Sequence, residues 1–146
     1  MKHDLVVSES IDINAEPSKV WDALTDPAII KKYLFGTETI TDWIVGSEII
    51  FQGVYGENNE RSYRDKGVIL ENIPYKKLSY SYWSGFSGLE DKPENYSVVT
   101  YGLQDNEDKT TTFTWTQKGY ASEENYQHSL AGMKEFLKQI KEIIEN

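Results

Sequence analysis

The C-terminal segment, residues 122–146, constrains the fold more than any other part of this chain. Its apolar residues recur at alternating steps of four and three: Tyr126, Leu130, Met133, Leu137, Ile140 and Ile144. This spacing predicts one long amphipathic helix with a single apolar stripe, because an α-helix returns to the same face about every 3.6 residues. Such a helix must bury its stripe against an apolar surface of similar length, which the rest of the chain has to supply.

The middle of the chain, from about Thr37 to Gly119, has the pattern of consecutive β-strands. Runs of β-branched and aromatic residues are separated by short turns and one longer loop, SGFSGLEDKPEN; the runs are TETITDW, SEIIFQGVY, SYRDKGVILENI, KLSYSYW, YSVVTYGLQD and KTTTFTWTQKG. No connection carries the crossover helix that parallel neighbours need. The pattern therefore predicts an antiparallel meander of about six strands.

The N-terminal part predicts one more strand and two helices. Residues 5–13, LVVSESIDI, alternate in period two, as a half-buried strand does. Pro17 and the pair Asp26-Pro27 then each place a proline at a first helical position. The predicted fold class is α+β: a curved antiparallel β-sheet of about six to seven strands wrapped around a long C-terminal α-helix, with two short helices after strand 1. We expect one domain over residues 1–146.

The charge balance bears on the partners of the chain. Its 24 acidic and 15 basic side chains give a formal net charge of −9. Phosphate backbones and anionic membrane surfaces would be repelled, so we expect no nucleic-acid partner and no membrane insertion. The N-terminus, MKHDLVVSES, carries acidic and polar residues where a signal peptide needs an apolar segment. We expect a cytoplasmic protein.

The inventory of chemically reactive residues is small. The chain has no cysteine and two histidines far apart, His3 and His128. We therefore expect no metal site and no cofactor. His3 lies in a terminus expected to fray, and a structural role near the start of the last helix is expected for His128. No nucleophile or phosphate-loop motif occurs, so we name no catalytic residue.

The predicted strands place many aromatic rings on the face toward the helix. Period two assigns these residues to that face: Leu78, Tyr80, Tyr82, Val99, Tyr101, Leu103, Phe113, Trp115 and Gln117. Large rings on a curved sheet pack less completely against a single helix than aliphatic side chains do, so an interior cavity is one outcome. A closed aromatic core is the alternative.

Two carboxylates share the parity of buried strand positions. Glu9 follows Val7 by two positions, and Glu71 follows Ile69 by two, so each pair shares one face of its strand. Each glutamate could therefore point toward the concave side as a polar cavity group beside Gln117. The alternative is an ion pair at a strand edge, for which Glu71 has Arg61, Arg64 and Lys66 near it in the sequence.

Several stretches resemble the START-like superfamily, also called SRPBCC or helix-grip proteins. Residues 11–27, IDINAEPSKVWDALTDP, are similar to its opening signature, and Gly67 to Tyr82 to its central strands. Thr116 to Tyr120, with the later His128 and Gly132, resemble the end of the last strand and the start of the closing helix. Together they resemble the branch related to the C-terminal domain of the activator of heat-shock protein 90 ATPase. Two positions differ, with Tyr82 and Met133 standing where that branch commonly has tryptophan.

The resemblance implies a cavity between sheet and helix. The ligand-binding residues expected there are Tyr80, Tyr82, Tyr101, Phe113, Trp115, Met133, Leu137 and Phe86. It favours non-enzymatic binding of a small hydrophobic or aromatic molecule. The alternatives are a chaperone-interacting protein resembling the activator, and a cyclase- or hydrolase-like enzyme acting on an apolar substrate. The fold alone does not choose among them.

The longer loop, Ser84 to Asn95, is a candidate gate for this cavity. Small residues flank Phe86 and Leu89, and no strand period continues through the loop. The two apolar residues either cap the mouth of the cavity or anchor the loop to the edge of the sheet.

Overall fold

The computed structural model describes residues 5–146. Its strands are β1 (Val6–Ile13), β2 (Glu38–Ile40), β3 (Glu48–Tyr55), β4 (Arg61–Ile73), β5 (Lys77–Tyr82), β6 (Ser97–Asp105) and β7 (Thr111–Lys118). Its helices are α1 (Pro17–Thr25), α2 (Pro27–Tyr33) and α3 (Glu123–Glu145), and a short 3₁₀ turn covers Pro93–Asn95.

The strands form one antiparallel sheet in the order β1-β7-β6-β5-β4-β3-β2. Strands β2 to β7 follow each other as a meander, and β1 pairs with β7 at the far edge, with Ile13 opposite Thr111 and Val6 opposite Lys118. The α+β fold class, the curved seven-stranded sheet, the long C-terminal helix and the two short helices after the first strand are confirmed. The meander follows from connections too short for a crossover.

Local sequence signals explain where the helices begin. Pro17 and Pro27 occupy the first turns of α1 and α2. The Asp26 carboxylate accepts a hydrogen bond from the Ala28 backbone N–H at 2.9 Å, and the Ser122 hydroxyl accepts one from the Asn125 N–H at 3.1 Å. Side-chain caps of this kind contribute on the order of 1 kcal/mol each. The helix starts predicted at the two prolines and near Ser122 are confirmed.

The C-terminal half of α3 packs on the concave face of the sheet. Met133, Leu137, Ile140 and Ile144 are buried there. The expectation that Leu130 belongs to this stripe is wrong, because its side chain is 44% exposed. In the first turns of α3 the residues that face the sheet come one position earlier in the sequence than the predicted stripe. The Leu130 side chain therefore points sideways to solvent.

Polar contacts fix the end of α3 to the first strand. Lys141 Nζ donates to the Asp12 carbonyl oxygen at 2.8 Å and pairs with Glu145 Oε2 at 2.5 Å. The same Glu145 oxygen accepts from the Asn14 backbone N–H at 2.8 Å. The hydrogen bond from Lys141, and to a smaller extent the one from the Asn14 N–H, lower the pKa of the Glu145 carboxyl. The helix is therefore held at its C-terminal end, over the closed part of the core.

A glycine allows β4 and β5 to approach each other closely. A Cβ atom at Gly67 would lie 1.6 Å from the Ser81 carbonyl oxygen. Beside this contact Ser81 Oγ accepts a hydrogen bond from the Val68 N–H at 2.9 Å, and the backbones of Lys66 and Trp83 form an antiparallel β-bridge. The approach places Asp65, two residues before the glycine, next to the start of the long loop.

Candidate functional site

A cavity of about 760 Å³ lies between the concave face of the sheet and the first half of α3. This volume is within the range of sites that hold small organic ligands, roughly 300–1,000 Å³. The cavity occupies the end of the sheet where β5 and β7 finish and β6 begins. At the opposite end the space is filled by buried aliphatic and phenyl side chains, namely Leu78, Leu103, Phe113, Leu137 and Ile140.

Small and polar residues account for the open end. Ser97 and Gln117 face inward from the sheet, and Ser129 and Gly132 face them from α3. A Cβ atom placed on Gly132 would meet no atom within 4 Å. Where side chains are short on both sides, sheet and helix cannot fill the gap, and space remains.

Most of the residues predicted for a pocket line this cavity: Tyr80, Tyr82, Phe86, Tyr101, Trp115, Gln117 and Met133. Two do not. Phe113 and Leu137 are 0% and 1% exposed and belong to the filled end of the core. Both residues lie on the face of their element that points toward the cavity. Phe113 is two residues from the lining residue Trp115, and Leu137 is one helical turn beyond the lining residue Met133, so both lie past the end of the cavity.

The structure places neither carboxylate inside the cavity, which corrects the inward position considered for Glu71. A bulge between Ile69 and Glu71 shifts the register, and the Glu71 side chain is 47% exposed. It pairs with Lys77 Nζ at 3.2 Å, so the alternative of an edge ion pair holds with a different partner from the three bases considered. Glu9 is half-buried on the edge strand β1 and does not line the cavity.

Two tyrosines from neighbouring strands meet in the inner part of the cavity. The hydroxyl oxygens of Tyr80 and Tyr101 are 2.7 Å apart and form a hydrogen bond. Burial raises the pKa of Tyr80 well above its ordinary value and that of Tyr101 to about 12. Both side chains are therefore neutral phenols at neutral pH.

An aspartate that the sequence analysis did not single out organises the rim. Asp65 Oδ2 accepts from the Tyr82 hydroxyl at 2.7 Å, and Asp65 Oδ1 accepts from Ser84 Oγ at 2.9 Å and from the Gly85 N–H at 3.0 Å. Burial, and then the negative charge of Asp65, raise the pKa of Tyr82. The sequence feature that could have identified Asp65 is its spacing: it lies two residues before Gly67 and four before Ile69 on β4, so it shares their inward face.

Hydrogen bonds within the wall occupy other polar groups. Gln117 Nε2 donates to Ser97 Oγ at 2.8 Å, and the Tyr33 hydroxyl donates to the Ala23 carbonyl oxygen at 3.1 Å. Tyr33, from α2, and Phe136, from α3, also line the cavity, with ring centroids 6.0 Å apart. Phe136 lies three residues after Met133, a helical spacing that could have identified it.

The long loop is tied down on both sides of an exposed aromatic residue. Phe86 is 61% exposed, and its ring lies 5.3 Å from that of Tyr55 and 5.4 Å from that of Tyr63. Trp83 Nε1 donates to the Leu89 carbonyl oxygen at 3.1 Å. Phe86 therefore stands at the rim of the cavity and Leu89 anchors the loop. Movement of this loop stays a prediction.

The charged groups along the lining are few and mostly acidic. Asp65, Glu124 and His128 contribute to it, and no lysine or arginine does so among residues 5–146. Across the same part of the chain, no three His, Cys, Asp or Glu side chains cluster as a metal site would require. None of the helices described is both long enough and apolar enough to cross a membrane. His3 lies outside the described residues.

An antiparallel sheet closed by one long helix, with a cavity between them, defines a helix-grip domain. The chain belongs to the family described as Activator of Hsp90 ATPase homolog 1-like protein, whose model matches residues 14–145. The comparison with curated proteins gives no match.

Solved structures show the same fold. ChR145 from Cytophaga hutchinsonii is 37% identical with a TM-score of 0.82, over 100% of this chain and 97% of that one. CalU16 from Micromonospora echinospora is 22% identical with a TM-score of 0.72, over 95% and 75% of the two chains. The Aha1 dimer from Colwellia psychrerythraea is 18% identical with a TM-score of 0.72, over 96% of each. The last two show likeness of fold alone.

Proposed function

We propose that this protein binds a small hydrophobic or aromatic molecule in the cavity between the sheet and α3, without converting it chemically. The observation that carries the proposal is the open volume of about 760 Å³ beside Gly132. Its walls combine aromatic rings with a few polar groups, the usual composition of a site for an apolar ligand. The predicted ligand-binding residues that line the cavity become, in this proposal, the walls of the site.

The acidic and basic groups along the lining support binding rather than catalysis. Asp65 already accepts three hydrogen bonds that hold the rim together, so its use as a general base would disrupt the loop. His128 is exposed on the second turn of α3, at the edge of the cavity. A cyclase- or hydrolase-like activity that removes a proton would need a base deeper in the site, where the tyrosines are protonated phenols.

A second candidate is binding to a chaperone. The family is named for an activator of the Hsp90 ATPase, and the outer side of the sheet carries an exposed apolar group: Ile44, Val45, Val68 and Leu70. The turn that holds the first two is tied to β4 by the bond from the Gly46 N–H to the Ile69 carbonyl oxygen, at 2.9 Å. Exposed apolar side chains that lie on neighbouring segments are a common feature of protein interfaces.

Mass spectrometry and probe binding together distinguish the two candidates. Protein purified from a native-like host is compared under native and denaturing conditions, and the ligand hypothesis predicts a reproducible extra mass that is lost on denaturation. The neutral dye Nile red then replaces the natural ligand as a titration probe. Gly132→Phe directs a ring into the open volume and should abolish both signals.

Ala131→Phe is the matched control, because Ala131 is exposed on the same helix and does not line the cavity. Equal Nile red binding by both variants would contradict the cavity as the site. The absence of any extra mass and of any dye binding, together with saturable binding to purified Hsp90, would establish the second candidate instead.

A further inference from the structure

The inner part of the cavity holds hydrogen-bond donors that have no acceptor among the described residues. Two phenol hydroxyls have two protons, and the bond between Tyr80 and Tyr101 uses one of them. Neither hydroxyl makes a further hydrogen bond to a described residue, so one proton is left without a protein acceptor. Trp115 stands directly opposite Tyr101 in the sheet, and its buried indole N–H also has no partner within the described part of the chain.

These donors are neutral and fixed in place by the surrounding rings. The ring of Tyr101 lies 5.7 Å from that of Phe113 and 5.8 Å from that of Trp115, edge to face in each case. Because burial raises the pKa of both tyrosines, neither loses its proton at neutral pH. A neutral donor suits the partial negative charge of a carbonyl, ether or phenol oxygen, and it only weakly offsets the cost of burying a full charge.

The charges of the site disfavour anions. No lysine or arginine lines the cavity among residues 5–146, whereas Asp65 and Glu124 do. No described cationic side chain lies within ion-pair distance of Asp65. A carboxylate ligand would therefore lose its hydration without gaining a lysine or arginine partner.

We infer that the cavity selects uncharged aromatic ligands that carry an acceptor oxygen at their inner end, such as ketones, quinones, esters or phenols, and rejects the corresponding carboxylates. The Tyr80–Tyr101 hydroxyl pair donates the hydrogen bond that recognises this oxygen. The inference rests on the proposed function and adds to it the chemical class of the ligand.

Three probes of nearly equal shape test the inference: 2-acetylnaphthalene, 2-ethylnaphthalene and 2-naphthoate. Each is titrated against protein that holds Nile red, and dye displacement gives its Kd. The ketone should bind about five- to tenfold more tightly than the hydrocarbon, the factor that one net hydrogen bond supplies. The carboxylate should bind at least tenfold more weakly than the ketone.

Variants assign the preference to the tyrosine pair. Tyr80→Phe/Tyr101→Phe should reduce the ratio of ketone to hydrocarbon affinity to about one. Both substitutions are needed, since either remaining hydroxyl could still donate. Tyr33→Phe is the matched control: Tyr33 lines the same cavity, but its hydroxyl already donates to the Ala23 carbonyl oxygen, so the ratio should stay at the wild-type value.

The wild-type ratios test the inference even if the double variant does not fold. Equal affinities for ketone and hydrocarbon, or a carboxylate that binds as tightly as the ketone, would overturn it while leaving apolar binding intact. A loss of ketone preference in Tyr33→Phe would also contradict the assignment to the pair. Failure of Nile red to bind at all would instead overturn the proposed function.

Discussion

Replacing Gly132, an exposed glycine at the edge of the cavity, by alanine should stabilise the protein, and a loss of stability would contradict the open space beside it. Gly132 lies in the interior of α3, where glycine is less favourable than alanine by about 0.5–1 kcal/mol. The new methyl group would meet no atom within 4 Å, so no steric cost offsets the gain. In a closed aromatic core the same methyl group would have no room.

The expected increase in the free energy of unfolding is therefore about 0.5–1 kcal/mol. For a chain of this length that corresponds to a rise in Tm of roughly 2–4 °C per kcal/mol. Urea denaturation followed by circular dichroism measures the change, and the m-value should stay constant because the denatured state exposes the same surface.

The neighbouring residue provides the control. Ala131 is exposed on the same turn, so Ala131→Gly should lower the free energy of unfolding by a similar amount. A Gly132→Ala variant that is less stable than wild type, alongside the expected loss in Ala131→Gly, would show that the methyl group collides with packed atoms. That result would refute the open cavity.

Three further predictions concern the rim and the core. Gly67→Ala should prevent correct folding or cost several kcal/mol, because its methyl group would lie 1.6 Å from the Ser81 carbonyl oxygen; loss of the cooperative thermal transition would show this, and near-wild-type Tm would contradict it. Asp65→Asn should increase amide hydrogen exchange in residues 84–89, since the amide replaces an ionic acceptor of three hydrogen bonds, and unchanged exchange there would rule out the anchoring role. The buried tyrosines should make stability fall at high pH. Their pKa values are raised in the folded state, to about 12 for Tyr101, so the contribution is fully present below the unfolded value of 10.0 and is lost as the pH rises from there toward 12. Urea titrations between pH 8 and about 11 test this, and Tyr80→Phe/Tyr101→Phe should flatten the decline; a flat wild-type profile would exclude the effect.

The relation between sequence and fold is simple for the secondary structure. Period-two alternation in residues 5–13, and the prolines at positions 17 and 27, are local signals whose meaning does not depend on distant contacts. The antiparallel order also followed locally, from the length of the connections. These features were correct because each rests on backbone geometry over a few residues.

The candidate site was predicted only in part. Periodicity gives the face of a strand or helix, and it correctly gave the inner face to Tyr80, Tyr101 and Trp115. It cannot give the depth along that face, so Phe113 and Leu137 were assigned to the pocket although they fill the closed end of the core. Depth depends on the volumes of side chains that meet from different elements.

Irregularities of the chain account for the remaining differences. The bulge before Glu71 reverses which side of β4 its side chain faces, and no residue pattern in the sequence marks it. Asp65 was overlooked because its three partners come from a loop and a neighbouring strand, which only the close approach at Gly67 brings near.

The sequence by itself determined the α+β class, the helix starts and the face on which the aromatic rings lie. The tertiary structure alone decided that one end of the sheet is filled and the other is open. The physical reason is that local pattern fixes the direction of each side chain, whereas the volume left between sheet and helix is the sum over all the side chains that meet there. At Ser97, Ser129 and Gly132 those side chains are too small to fill the gap.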